Sequence, residues 1–440
     1  MKSRAVGQFL LIGLLVLAAP VVWADEADTA ALKAEIEVLK SRLAKLESQV
    51  SSSRFTGTSV GMEKPGAPSL MLPSGLEGLG MSGYVDMGYN FNFNRPDTGS
   101  TTSGRNVTSN NGRVFDRVAN NFTIHSADLT FEKLSSSQSP IGFRTDLMFG
   151  DDAEQIHATG LGDVAAGDNP LPFDLAQAYV TYKAPIGEGL DLKVGKFVTL
   201  LGAEVIRSID NWNYSRSYMF GYAIPFTHTG ALASYPLGEW GSTTWGLVNG
   251  WDRADENNSF KTILGNVTLT PFKGVTLGTN LITGAERASD NRNDRTVLDV
   301  VATWQPIDKL TLMANYDNGH ESNLLHGTTA GTKGTDGANW SGVALYAKYD
   351  LTDKWSLAGR WERFNDPDNV RTGFASLGGT TPEGIDFTEY TLTSQWQLYT
   401  HLLARLEYRH DAASEKVFFS NNASLTNGQD TIAGELVYHF

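Results

Sequence analysis

The sequence predicts an all-β fold, a transmembrane antiparallel up-and-down β-barrel of about 16 strands, preceded by a short α-helical coiled coil. Three observations predict it. From Ser82 onward, apolar and polar residues alternate with a period of two, which is typical of strands with one apolar face. The candidate strands are about 9 to 13 residues long, the length that a tilted strand needs to cross a bilayer. Short turns and long polar loops alternate between the strands, as they do in an up-and-down barrel.

Residues 1–24 have the three parts of a secretory signal peptide. Lys2 and Arg4 precede an apolar run, and Ala24 precedes the acidic Asp25, so cleavage after Ala24 is expected. The alternative is a membrane-anchoring helix, since the run approaches the length of a membrane span. Cleavage changes the formal charge from −14 to −16, and this negative charge argues against nucleic acid as a partner. The chain contains no cysteine, which excludes disulfides and thiolate metal sites.

Residues 25–52 are predicted to form a coiled-coil oligomerisation helix. The apolar residues follow in steps of four and three, which places Ile36, Leu43 and Val50 at heptad position a and Leu32, Leu39 and Leu46 at position d. In parallel helices Glu35 would meet Lys40 of a neighbouring chain, and Arg42 would meet Glu47. The alternative is a single amphipathic helix on the barrel, since about three heptads are marginal alone. We expect a homo-oligomer: the heptad residues favour a dimer, whereas a trimeric barrel would impose a trimer.

Residues 53–80 are rich in Gly, Ser and Pro and show no sustained period, so they are predicted to be a linker. The barrel is predicted over residues 81–440. Its strands are predicted to begin near Ser82, Asn121, Ile141, Phe173, Leu190, Thr227, Thr243, Ser259, Val275, Arg295, Leu310, Asn339, Trp355, Ile385, Leu402 and Gly428.

The two faces of the predicted strands differ in chemistry. One face is apolar and suits lipid, whereas the other carries charges that a buried protein core could not hold, so a water-filled lumen is predicted. The candidate lumen-wall residues are Arg144, Asp146, Arg360, Glu389, Arg405, Glu407 and Arg409. Tryptophans near strand ends predict two aromatic girdles. They are Trp240, Trp304, Trp355 and Trp396 near short turns, and Trp251, Trp340 and Trp361 near long loops, with Trp340 directed inward by strand parity.

Two stretches of the sequence resemble a known family. The C-terminal "LVYHF" is similar to the signal that the barrel-assembly machinery reads, with Tyr438 and Phe440 at its key positions. The segment from Lys193 to Gly230 is similar to the most recognisable segment of the outer-membrane β-barrel porin-2 family. The chain thus resembles Gram-negative outer-membrane porins, and most closely this family. A coiled coil ahead of the barrel is also seen in some sugar-specific porins.

The resemblance implies a location and a set of partners. The barrel would lie in the outer membrane, in contact with its lipid and lipopolysaccharide, and the N-terminal helix would lie in the periplasm. It also implies a channel for small hydrophilic solutes. The assembly signal has to be terminal, so the resemblance implies that the last residue is a phenylalanine because it belongs to this signal.

The third long loop, residues 202–226, is the candidate constriction. In general porins this loop folds into the lumen, with charges that face a cluster on the wall. The resemblance therefore implies Glu204, Arg207, Asp210 and Arg216 as constriction residues, with Arg144, Arg405 and Arg409 as wall partners. The loop also carries aromatic residues that could pave it or stack against a sugar, namely Trp212, Tyr214, Tyr218, Phe220 and Tyr222. The alternative is a lid packed over the mouth. Because the loop mixes arginine with carboxylates, anion or cation preference stays open.

No catalytic residue, metal site or cofactor site is predicted. His320 and His326 lack the spacing of a zinc-protease helix, and the acidic residues from Asp151 to Asp168 do not follow a calcium-loop pattern. The function that the sequence predicts is passive diffusion of small hydrophilic solutes or ions through a water-filled porin. The alternatives are a solute-specific porin for sugars or anions, and a structural or adhesive envelope barrel with a plugged lumen.

Deletion of residues 28–50 is expected to weaken oligomers and to leave the barrel folded, because the heptads hold the chains together while the strands close the barrel. Cross-linking in membranes measures the first effect and heat-modifiable migration in gels measures the second. Oligomers that survive the deletion unchanged would contradict the predicted helix.

Overall fold

The structure is a computed structural model. It describes residues 78–96, 101–102, 105–106, 109–163, 172–323, 337–374, 384–421 and 424–440. The predicted signal peptide (1–24), the oligomerisation helix (25–52) and nearly all of the linker (53–80) lie outside these residues. Among the residues that the structure describes, none of the helices has the length and apolar character that a membrane span requires.

Sixteen antiparallel strands close into one barrel. The barrel strands are β1 (Gly80–Asn92), β4 (Asn121–Lys133), β5 (Ile141–Phe149), β6 (Phe173–Ala184), β7 (Leu190–Val198), β8 (Thr227–Pro236), β9 (Gly241–Val248), β10 (Thr262–Phe272), β11 (Val275–Ala285), β12 (Asp294–Ile307), β13 (Leu310–Glu321), β14 (Ala338–Thr352), β15 (Trp355–Asp366), β16 (Ile385–Tyr399), β17 (Leu402–Ala413) and β20 (Gly428–His439). Each strand pairs with the next one along the barrel, and β1 pairs with β20 to complete the closure.

The remaining elements lie in the connections. Two short hairpins pair β2 (Thr101–Thr102) with β3 (Arg105–Asn106), and β18 (Phe418–Phe419) with β19 (Leu425–Thr426). The helical segments are an α-helix (Asp151–Ile156), two 3₁₀ turns (Ser208–Asp210 and Gly238–Trp240) and a π-helical turn (Met219–Ala223).

The predicted strand order and strand starts are confirmed. The largest difference is three residues, where the strand predicted at Ser259 begins at Thr262. Asn257 and Asn258 explain this difference, because their side chains donate to the carbonyl oxygens of Glu286 and Ala285 at the end of β11, so side-chain hydrogen bonds precede the backbone ladder there. Long and short connections alternate, so one end of the barrel carries the long loops and the other end carries the short turns. In outer-membrane barrels the long-loop end faces outside.

The outer face of the barrel is apolar, as the alternation predicts. Along β20, Tyr438 is 52% exposed whereas Glu435 is 3% exposed, so the tyrosine faces the lipid and the glutamate faces the interior. Near the short turns, the exposed Trp240, Trp304 and Trp355 belong to an aromatic girdle. Of the three tryptophans named at the long-loop end, Trp361 is half-buried on the outward face of β15, opposite the exposed Tyr390, whereas the expected girdle position is wrong for Trp251. Trp340 lies inside, as strand parity predicts, and Trp251 packs against it there; the exposed aromatic residues at that end are Phe93, Phe122, Phe149, Phe173 and Phe260.

The seam between β1 and β20 is closed by the last residue. Gly83 and Phe440 exchange two backbone hydrogen bonds, of 3.1 and 3.0 Å, so the ladder continues to the final carbonyl. The phenylalanine ring lies over the glycine: a Cβ atom at position 83 would lie 2.8 Å from the ring and 2.4 Å from the carbonyl oxygen of Asp128. A side chain at position 83 would therefore push the ring and the neighbouring strand away.

Gly83→Ala is expected to lower the free energy of unfolding by about 1–3 kcal/mol, because the added methyl group overpacks the seam. The temperature at which the folded band is lost in heat-modifiable gel migration measures this. Gly434→Ala on β20 is the matched control, since a Cβ atom at that position meets nothing within 4 Å. If both variants lower this temperature equally, the stability of the seam does not depend on the close approach of Phe440 to Gly83.

Candidate functional site

The connection between β7 and β8, residues 199–226, lies inside the barrel, and we call it the inserted loop. At its lowest point Ile209 packs against Tyr84, Leu403 and Val437. These three wall residues lie close to the short-turn end of their strands. The inserted loop therefore enters from the long-loop end and descends almost to the opposite end; it is not a lid over the mouth.

Charged residues of β17 bind the backbone of the inserted loop. Arg405 donates to the carbonyl oxygens of Ser208 (3.1 Å) and Asn211 (2.7 Å). Glu407 accepts hydrogen bonds from the amides of residues 214 (2.7 Å) and 215 (3.1 Å). Arg409 donates to the carbonyl oxygen of Arg216 at 2.6 Å. Since alternate residues of a strand share one face, the three side chains form a ladder beside the returning limb of the loop.

Charged residues of β15 continue this binding. Arg360 donates to the carbonyl oxygen of Ser215 at 2.7 Å and also pairs with Glu389 on β16 and with Glu204 of the loop. Glu204 in turn accepts a hydrogen bond from the amide of residue 217 at 2.7 Å. Glu362 accepts hydrogen bonds from the amides of residues 218 (2.8 Å) and 219 (2.5 Å). The amides of residues 214, 215, 218 and 219 thus find charged partners on the wall, and the amide of residue 217 finds one within the loop.

The opposite side of the inserted loop is apolar. Gly342 on β14 leaves room for Met219, since a Cβ atom there would lie 2.6 Å from the methionine side chain. The apolar loop residues are Leu200, Leu201, Ala203, Ile206, Met219, Phe220, Ala223, Ile224 and Phe226, and the wall residues in the same cluster include Leu232, Val248, Leu264, Ile282, Val297, Val301, Met313 and Ala344. The loop therefore packs apolar side chains against β8 to β14, although the same strands also direct a buried polar group inward, which comprises Asn266, Asn280, Asp299, Asn315 and Asp317.

The charges of the wall are not in contact with solvent at this level. Arg360 is 3% exposed, and Glu362 and Glu389 are fully buried. The prediction that such side chains can lie only in a wet lumen is wrong here. The inserted loop explains the difference, because its amides and carbonyls take the place of water and satisfy the buried charges.

The four predicted constriction residues lie in two different environments. Glu204 and Arg216 are buried: Arg216 pairs with Asp152 of the short α-helix at 3.3 Å and also binds the carbonyl oxygen of Ile206. Arg207 and Asp210 lie at the bottom of the loop and keep 29% and 31% of their side chains exposed. The guanidinium of Arg207 lies 5.2 Å from the ring centre of Tyr84.

The predicted wall residues also separate into two groups. Arg405, Glu407, Arg409 and Arg360 contact the inserted loop directly, as described above, and Glu389 holds Arg360. Arg144 forms no hydrogen bond to the inserted loop among the described residues; it binds Asp146 at 2.9 Å and lies 3.7 Å from Glu132. The aromatic residues Tyr214, Tyr218 and Phe220 are at most 3% exposed, so they pack the loop and offer a sugar no stacking face.

A second segment, which the sequence did not indicate, also enters the barrel. Arg113, in the connection after β1, pairs with Asp411 of β17 and with Asp116, both at 2.7 Å. Phe115 packs against Phe220 and Phe226 of the inserted loop. Residues in an aperiodic polar loop show no sequence pattern that indicates such contacts.

Comparisons with known proteins agree with this architecture. Residues 78–440 match the family described as "Putative beta-barrel porin-2, OmpL-like". The chain belongs to the β-barrel porin-2 family. The match covers the whole barrel of this porin, whereas no curated protein sequence matches it. Within the described residues, no group of three or more His, Asp or Glu side chains is arranged to hold a metal ion.

Solved structures with the same fold have little sequence in common with this porin. The outer membrane channel DcaP of Acinetobacter baumannii is 10% identical, with 82% of this chain and 97% of that chain covered and a TM-score of 0.54. An anion-selective porin from Comamonas acidovorans is 10% identical, with 82% and 99% covered and a TM-score of 0.53. Salmonella typhi OmpF, in a complex with daunomycin, is 11% identical, with 82% and 97% covered and a TM-score of 0.53. At such identities the likeness concerns the fold alone.

Glu407→Gln is expected to speed hydrogen exchange at the amides of residues 214 and 215 by about tenfold or more, because a charged hydrogen bond contributes about 1.5–3 kcal/mol. Exchange followed by mass spectrometry on peptides 212–215 and 216–219 measures this, because the first two residues of a peptide do not retain their label. Glu362→Gln is the matched variant and is expected to act on the amides of residues 218 and 219 instead. If both variants speed both peptides equally, the loop opens as one unit and the anchors are not independent.

Proposed function

We propose that this porin is a narrow outer-membrane channel for passive diffusion of inorganic ions and small hydrophilic solutes, with the inserted loop as its constriction. The observation that carries the proposal is the loop itself, which descends through the barrel and presents Arg207 and Asp210 in partly exposed positions near the short-turn end. Charged groups beside a confined path select among hydrated ions by sign and size.

The proposed path follows the side of the inserted loop that faces β4 to β7. Interior residues of these strands near the short-turn end are only half-buried, among them Glu132, Arg144 and Lys193. Lys193 lies over the ring of Tyr179 at 4.4 Å. Because both signs of charge occur there, the formal net charge of −14 does not set the ion preference.

A second candidate is an envelope barrel whose lumen is closed. The burial of Arg360, Glu362 and Glu389 at the middle level favours it, since an open water-filled pore would expose such groups. Conductance of the purified protein in planar bilayers separates the two candidates. A channel gives small discrete steps, smaller than those of a barrel with a wide lumen, and a stable absence of steps rejects the channel.

The remaining assignments are part of the same proposal. The porin assembles as a homo-oligomer, a trimer if the barrel sets the symmetry, through the helix at residues 25–52 in the periplasm. Its barrel contacts outer-membrane lipid and lipopolysaccharide, and Tyr438 and Phe440 are read by the barrel-assembly machinery. The proposed function is transport without catalysis, and it needs no cofactor.

Arg207→Ala is expected to shift the reversal potential in a potassium chloride gradient toward cations, and Asp210→Ala is expected to shift it toward anions. A unit charge a few ångströms from the path contributes about 1 kcal/mol or more, so the permeability ratio changes about fivefold. The two residues lie 3.7 Å apart, which makes each variant the control for the other. Unchanged reversal potentials in both would remove them from the ion path.

A further inference from the structure

Two arginines and two tryptophans form a cluster at the long-loop end of the barrel, and we call it the mouth cluster: Arg295, Arg371, Trp251 and Trp340. The guanidinium carbon of Arg371 lies 4.5 Å from the ring centre of Trp251 and 5.1 Å from that of Trp340. The guanidinium of Arg295 lies 4.9 Å from the ring of Trp251. The two indole rings meet edge to face, 6.4 Å apart. Both cations are therefore held against the same aromatic surface.

The charges of the mouth cluster are unequally compensated. Arg295 pairs with Glu321 at 2.7 Å. Arg371 uses only its Nε atom, which donates to the carbonyl oxygen of Tyr222 at 2.7 Å. Among the residues that the structure describes, its two Nη atoms have no hydrogen-bond partner and no carboxylate lies within ion-pair distance of it, although the charges of Glu321, Asp366 and Asp252 act on it from farther away. Burial, followed by the nearby charge of Arg295, lowers the pKa of Arg371 to about 10.

We infer that the mouth cluster is a binding site for a small carboxylate, which the Nη edge of Arg371 holds. A guanidinium presents two parallel N–H groups whose spacing matches the two oxygens of a carboxylate. The tryptophan rings fix the plane of the guanidinium, and the side chain remains partly exposed, so a solute can reach the free edge from outside.

The acidic surroundings favour a singly charged ligand. Asp366 lies close by, because its carboxylate accepts the backbone amides of residues 370 to 372. Asp252 is held by the amides of Phe226 and Thr227, and burial raises the pKa of this carboxyl to about 6. A doubly charged phosphate would meet stronger repulsion from these groups than a carboxylate would.

The mouth cluster also contacts the inserted loop. Arg371 binds the carbonyl oxygen of Tyr222, and the indole nitrogen of Trp340 donates to that of Ala223 at 3.0 Å. A carboxylate bound here would lie at the upper end of the loop. Its role as an entry site for transported anions rests on the proposed function, whereas binding itself does not require conduction.

The test is a titration of the full chain, purified in detergent, with sodium gluconate at constant ionic strength, followed by tryptophan fluorescence. We expect a saturable change in the wild type that Trp251→Phe largely removes. Arg371→Gln is expected to weaken the apparent affinity about tenfold or more, because it removes charged hydrogen bonds. Arg371→Lys keeps the positive charge but loses the two parallel N–H groups, so it is expected to bind gluconate with intermediate affinity.

Arg253→Gln is the matched control, because Arg253 lies in the same loop as Trp251 but is already paired with Asp255 at 2.8 Å. The affinity of this variant for gluconate is expected to equal that of the wild type. Heat-modifiable migration checks that each variant folds, and if Arg371→Gln does not fold, the lysine variant decides. The absence of a saturable change in the wild type, or equal binding by the Arg371 variants, overturns the site. Tighter binding of inorganic phosphate than of gluconate overturns the carboxylate assignment. Conductance is measured separately, so loss of binding with normal channel steps leaves the proposed function standing.

Discussion

The interior of this barrel depends on the hydrogen bonds between wall charges and the backbone of the inserted loop. A loop that leaves water must find partners for its amides and carbonyls, because an unsatisfied buried polar group costs about 1–3 kcal/mol. Arg405, Glu407 and Arg409 supply donors and an acceptor in turn along one face of β17. Positive and negative side chains therefore alternate along β17 in the order in which the loop presents carbonyl and amide groups to them.

The apolar contacts of the inserted loop follow from the same requirement. The backbone of residues 214–219 turns toward β15 and β17, so the apolar side chains of the loop are left for the strands opposite. There Leu264, Ile282 and Val297 face inward and are fully buried or nearly so, which is unusual for the wall of a water-filled lumen. One loop thus accounts both for the buried charges on β15 to β17 and for these apolar residues on the inside of the barrel.

The sequence predicts the barrel well because strand periodicity and turn chemistry are local. The inward direction of Arg360 and Arg405 follows from strand parity alone. What these residues bind does not follow, since their partners are carbonyl oxygens of Ser215 and Ser208, and every residue has a carbonyl group. Trp251 shows the same limit. Its position near a long loop predicted a place in the lipid-facing girdle. Strand parity, which separates inward from outward residues, does not apply to a residue in an aperiodic loop.

The strength of these contacts also decides where a channel can form. Arg360 and Glu362 bind loop backbone groups on β15, and Glu407 and Arg409 bind them on β17, so moving the loop off this wall would break several charged hydrogen bonds at once. Each contributes about 1.5–3 kcal/mol, so an open state of that kind is rarely populated. At the bottom of the loop Arg405 also holds the backbone, but the side chains of Arg207 and Asp210 are partly exposed and form a 3.7 Å ion pair, which in such a setting contributes about 0–1 kcal/mol. Under the proposed function, ion selection is therefore assigned to the charged side chains at the bottom of the loop, while the anchored limb keeps the loop in place.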